Sequence, residues 1–172
     1  MSRDDALNDL IEFLRFPSVS ADTQFKPQVE ACADWLLQRF KKAGLDAERF
    51  PTGGNPVVLA RNDHRPGRKT VLIYGHYDVQ PPDPLALWQT PPFEPVIRDG
   101  RIFARGSTDN KGQIFAHLVG VEKSLQSKGD LPVNVISRLA QAGAGNLHIS
   151  LGPDLVEARF HRRGFVVLLL QL

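Results

Sequence analysis

The segment Thr70-Val71-Leu72-Ile73-Tyr74 is a nearly continuous apolar run that leads straight into Gly75-His76-Tyr77-Asp78. A strand with one wet face alternates apolar and polar residues, so a run without alternation marks a strand covered on both faces. That requirement restricts the chain to architectures in which a sheet lies between packed layers. The flanking sequence supplies candidates for those layers. Leu7, Leu10, Ile11 and Leu14 share one helical face, with Asp4 and Asp5 in the first turn, where the helix dipole favours negative charge. Pro17 ends that helix. A second helix is predicted from Lys26-Pro27, with a face of Val29, Cys32, Leu36 and Phe40 and a stop at Gly44. A third follows Lys111, with Ile114, Leu118, Val121 and Leu125 in register and Gly129 as its stop. Pro56 to Ala60 and Val133 to Ile136 read as further strands. Asp99-Gly100 reads as the tight turn of a hairpin between residues 95–97 and 101–103. Helices alternating with buried strands predict a three-layer α/β/α fold.

Composition narrows the function classes. The 172 residues suit one compact domain. The formal charge is only +2, and the Lys and Arg residues are scattered, so no basic stripe for nucleic acid is present. One cysteine, Cys32, cannot form an internal disulfide, and its place on a helical stripe makes it a small core residue. The charged start Met1-Ser2-Arg3-Asp4-Asp5 is followed by no apolar signal-peptide core. The apolar run Phe165 to Leu170 is far shorter than the roughly 20 residues that span a bilayer. It is either a last strand or an exposed sticky end. A soluble, cytoplasmic protein without membrane or nucleic-acid partners is expected.

The chemistry is expected at the strand ends, where ligands gather in open α/β sheets. His76 and Asp78 are two apart, so in extended backbone they project to the same side. A carboxylate so placed can hold an imidazole in one tautomer and raise its basicity toward a metal. Asp109, in Gly106-Ser107-Thr108-Asp109-Asn110-Lys111-Gly112, lies between an extended segment and a helix start. One carboxylate can bridge two metal ions about 3.5–4 Å apart. Each signal alone has an ordinary alternative. His-x-Asp recurs by chance, and Asp109 could simply cap the third helix. Their pairing at two strand exits is the informative feature. Lys111, Arg105, Trp88 and Tyr77 are candidates to line a cleft, each with an equally ordinary packing role.

Tyr74 to Pro81, Trp88 to Phe93 and Gly100 to Gly112 together closely resemble the carnosinase, aminoacylase and succinyl-diaminopimelate desuccinylase family of dizinc peptidases, its dipeptidase branch above all. The resemblance covers roughly residues 5 to 136. It implies a zinc-exopeptidase catalytic domain holding two zinc ions, with cobalt or manganese as possible substitutes. It implies that His76 binds one metal, that Asp109 bridges both, and that Asp78 is the catalytic-site residue that positions His76. A cis peptide after the bridging aspartate, here Asp109–Asn110, is also implied. The expected reaction is hydrolysis of an amide in a small peptide or N-acyl amino acid, with a glutamate moving protons. Intact family members are expected to form homodimers.

The pattern breaks after the next strand. The family continues there with glutamates, one a general base and the next a metal ligand. Here Ser137-Arg138-Leu139-Ala140-Gln141-Ala142-Gly143 follows, and no acidic residue occurs between Asp130 and Asp154. The family's later aspartate ligand, its lid or dimerisation domain and its distal histidine lie beyond what the chain matches. Residues 1–136 are therefore expected to be the N-terminal part of a truncated catalytic domain, and 137–172 a divergent tail. Either the chain is a metal-dependent hydrolase, or it is an inactive truncated or frameshifted remnant, or a fragment completed by another chain. In the tail, His148, Asp154, Glu157 and His161 have metal-compatible chemistry; the ordinary reading is an exposed helix with unremarkable charges.

Overall fold

Local chemistry sets the helix ends in the computed structural model, which describes residues 1–141 and the strand residues 149–150, 155–156 and 166–170. Helix α1 (Arg3–Arg15) opens with a reciprocal cap: Asp5 N–H donates to Ser2 Oγ and Ser2 N–H to Asp5 Oδ2, both at 3.0 Å. Helix α2 (Lys26–Lys42) carries Pro27 in its first turn, and Gly44 beyond it takes φ +87°, a conformation open to glycine. Helix α3 (Lys111–Lys128) stops at Gly129, whose left-handed backbone directs its N–H to Leu125 O at 2.8 Å. All three helices lie where the periodicity puts them.

The main sheet has five strands: β1 (Asp46–Phe50), β2 (Val57–Arg61), β3 (Thr70–His76), β6 (Asn134–Ala140) and β9 (Val166–Leu170). Their order is β1-β2-β6-β3-β9, with β3 and β6 parallel and every other pair antiparallel. The apolar run at 70–74 is therefore an inner strand, flanked by β6 and β9. The terminal leucine-rich run is a strand too, paired with β3 from Thr70↔Leu170 to Tyr74↔Val166. Strand β6 extends beyond Ile136 to Ala140, in register with β3 from Thr70↔Asn134 to His76↔Ala140. β4 (Val96–Arg98) and β5 (Arg101–Phe103) form the expected hairpin, with positive φ at Asp99 and Gly100. A two-stranded piece, β7 (Ile149–Ser150) with β8 (Leu155–Val156), completes the strands.

Strand β1 has no counterpart in the sequence expectations. Its alternation is inverted in type: Arg49 is half-buried while Phe50 is exposed. Arg49 faces the helices and pairs with Glu30 and Asp34 of α2, so a charge occupies the inward position.

The core lies between the sheet and the helices. Phe13 of α1, Val29, Cys32, Leu36 and Phe40 of α2, and Ile114, Phe115 and Leu118 of α3 pack with Ala47, Val58, Ala60 and Leu139 of the strands. Phe13 stacks on Trp35 at 5.0 Å. Cys32 is fully buried, as its helical stripe predicts, and burial pushes its thiol pKa up. The α/β architecture follows the sequence expectation, and α1, α2 and α3 share the face on which Val58, Ala60 and Leu139 lie.

Candidate metal centre

His76 ends β3 and Asp109 precedes α3, so the site sits where the parallel β3–α3–β6 unit turns from strand to helix. This is the carboxyl end of the sheet, the expected place for ligands. The His76 ring is held on one side by Asp78. Its Nδ1 lies 3.0 Å from the Asp78 backbone oxygen and 3.3 Å from Asp78 Oδ1. Its Nε2 lies 3.1 Å from Asp109 Oδ1. Burial pulls the imidazole pKa down, but the hydrogen bonds and charge of Asp78, joined by the charge of Asp109, outweigh it and leave a net rise.

Exposure differs sharply among these residues. Asp78 is 2% exposed and Asp109 82% exposed, with His76 between them at 21%. The buried carboxylate orients the ring, and the outer carboxylate stands at the open side with Nε2. The peptide between Asp109 and Asn110 is cis.

The alternative role for Asp109, capping α3, is not the one observed. The cap position is Asn110, whose side chain makes no capping bond. Instead Asn110 Oδ1 accepts from His76 N–H at 3.2 Å, joining the start of α3 to the end of β3. Nothing in the sequence singles out Asn110 for this. Its partner lies 34 residues away and is reached only through the fold.

Gly75 permits that junction. A Cβ there would run into the Ile114 side chain and stand 2.6 Å from Asn110 Oδ1. Gly112 and Gly106 serve the Asp109 loop similarly: a Cβ on Gly112 would meet Ser107 O, and Gly106 has φ +86°.

Of the four candidate cleft residues, Tyr77 and Lys111 take packing roles. Tyr77 is fully buried and donates its hydroxyl to Pro56 O at 2.6 Å. Burial pushes its phenol pKa up. Lys111 is also fully buried, with Nζ donating to Phe16 O at 2.7 Å and Phe13 O at 3.1 Å. A cation on the last carbonyls of α1 complements that helix's dipole, which explains why it turns inward. Burial lowers its pKa. Trp88 donates to Pro82 O, and Arg105 donates to Pro81 O while lying over the Trp88 ring.

Beside His76 the neighbouring strand supplies no acid. Ala140 pairs with His76 in the β3–β6 register, and Tyr77 N–H donates to Ala140 O. The next residue, Gln141, is an amide that accepts from Asn55 Nδ2 at 2.9 Å. Among the described residues no group of three or more His, Cys, Asp or Glu side chains converges. His148, Asp154, Glu157 and His161 lie outside the described residues. The donors present do suit a metal. Two ligands about 2.1 Å from one tetrahedral zinc stand roughly 3.4 Å apart, and Nε2 and Oδ1 are 3.1 Å apart. They fit as part of a ligand set.

Known proteins resemble this chain in both sequence and fold. Residues 72–140 match the model of peptidase family M20/M25/M40. The Cys-Gly metallodipeptidase dug1 of Schizosaccharomyces pombe is 34% identical over 145 residues, 78% of this chain and 30% of that protein. The M20 family metallo-carboxypeptidase Sso-CP2 of Sulfolobus solfataricus superposes with TM-score 0.72 at 38% identity, over 81% of this chain and 30% of that one. Human carnosine dipeptidase 1 gives TM-score 0.75 at 28% identity, over 81% and 32%. The chain thus spans about 30% of the length of such relatives. In residues 72–140, the segment that carries the site, the chain is similar to peptidase family M20/M25/M40.

Proposed function

We propose that this chain carries part of a metallohydrolase centre for small peptides or N-acyl amino acids, with His76 and Asp109 as metal ligands and Asp78 positioning His76. The observation that carries it is the approach of His76 Nε2 to Asp109 Oδ1 at the end of β3, within the family-matching segment. Zinc is the metal this donor pair suits, with cobalt or manganese as substitutes, and when bound it supplies a Lewis acid that acidifies water. The residues of the chain set the frame for that chemistry. Asp78 engages Nδ1 and so leaves Nε2 as the free donor of the neutral ring. The second carboxylate oxygen of Asp109 remains available for a second ion. A reducing, cytoplasmic setting accords with the single buried cysteine.

A second reading is favoured by the β6 exit, where Ala140 and Gln141 stand beside the site in place of an acid. On that reading the chain binds metal without turnover, or gains its remaining groups from another chain. Zinc titration by calorimetry tests the shared premise. Saturable binding should be seen in the unaltered protein and be lost or weakened at least tenfold in His76→Ala and Asp109→Asn. Equal binding by all three would remove the metal assignment.

A further inference from the structure

The segment that leaves α1, Phe16-Pro17-Ser18-Val19-Ser20, is fastened to the stretch that follows His76. Val19 forms a parallel bridge with Val79, and Val79 N–H donates to Ser18 O at 2.9 Å. Ser18 Oγ donates to Tyr77 O at 2.7 Å. Ser20 Oγ donates to Asp78 Oδ2, 58 residues away in sequence. At its other end the segment is held by Lys111 Nζ through Phe16 O and Phe13 O, and Lys111 is two residues past Asp109. One strap thus touches the loops of both candidate ligands.

Asp78 is where the strap bears on the chemistry. Its carboxylate is buried, and a buried carboxylate needs partners that satisfy its oxygens. Oδ1 faces His76 Nδ1 at 3.3 Å, and Oδ2 takes the Ser20 hydroxyl. With one oxygen committed to each side, the carboxylate plane cannot rotate without breaking a contact. Through Asp78, the hydroxyl therefore fixes the direction of the imidazole, on which metal affinity depends.

We infer that Ser20 is a positioning residue for the metal centre, acting through Asp78 on His76. The inference rests on the proposed metal site and adds a residue to it. Ser18 has a different part: its hydroxyl binds a backbone oxygen, and its removal leaves the Val79–Ser18 backbone bond in place.

The test uses the full chain with zinc calorimetry and the visible spectrum of the cobalt(II) form, beside thermal unfolding without metal. Removing an outer partner of a metal-bound histidine typically costs about 10–100-fold in affinity. Ser20→Ala should weaken zinc binding about tenfold, at the low end of that range, and shift the cobalt spectrum. Ser20→Thr, which keeps the hydroxyl, should restore both. Ser18→Ala should lower the unfolding temperature yet leave affinity within about twofold. Unaltered affinity and spectrum in Ser20→Ala, or an equal loss in Ser18→Ala, would overturn the positioning role while leaving the ligands standing. Absence of metal binding in the unaltered protein, or full binding by His76→Ala, would overturn the metal site and this inference with it.

Discussion

Gly75 shows how narrowly one residue can constrain the site. It is the strand residue immediately before His76, against Ile114 of α3 and its N-cap Asn110, with no room for a methyl group. Gly75→Ala should cost about 1–3 kcal/mol, the usual penalty of forcing extra carbon into a packed core. The clash is shared with Ile114, so the same change made in Ile114→Ala should cost less than in the unaltered protein. Urea denaturation of the four proteins reads the coupling directly; strictly additive losses would mean that the methyl is accommodated elsewhere. The same close packing explains Lys111, a charged residue beside the candidate ligand that turns away from it. Two main-chain oxygens at the end of α1 offer it hydrogen bonds that offset its burial.

At the scale of elements, the helices are locked to each other by a buried ion pair. Arg39 of α2 meets Glu122 of α3 at 2.6 Å, each only 3% exposed, and Arg39 also reaches Asp9 of α1 at 2.8 Å. Breaking a buried pair by removing one member typically costs about 3–5 kcal/mol, because the survivor is left buried and uncompensated. The two halves should not behave alike. Arg39→Ala strands Glu122 and should show the full loss, whereas Glu122→Ala leaves Arg39 paired with Asp9 and should cost distinctly less. Equilibrium unfolding of both variants decides this, and equal losses would deny Asp9 its compensating role. The arrangement matters to function because α3 begins at the Asp109 loop, so its seating against α2 carries the loop with it.

For the whole molecule, the pairing of β3 with β6 brings the carboxyl ends of two parallel strands together, but among the described residues only β3 brings a candidate metal ligand there. Among the described residues no carboxylate stands beside His76 and Asp109 from β6 as a general base, and without one proton transfer forgoes a contribution of typically 10²–10⁴-fold. The purified chain loaded with zinc, cobalt or manganese is therefore expected to bind metal while showing no hydrolysis above that of the His76→Ala variant, across dipeptides and N-acyl amino acids. Metal-dependent turnover that vanishes in Glu157→Gln would instead place the base in the C-terminal segment.

The sequence by itself determined most of the elements and where the candidate residues stand in them. Periodicity, capping residues and turn glycines act within a few residues, so α1, α2, α3, β3 and the β4–β5 hairpin were legible, and so were His76, Asp78 and Asp109 at the ends of such elements. Strand β1 was not, because its inward position holds Arg49, whose charge is satisfied by Glu30 and Asp34 of a helix. Tertiary structure alone decided which of two plausible roles each polar residue took. It made Asn110 the link to His76, turned Lys111 and Tyr77 into the interior, made the terminal run a strand beside β3, and set Ser20 on Asp78. These outcomes depend on hydrogen-bond partners distant in the chain, and a buried polar group has no preferred role until the fold shows which partner is within reach.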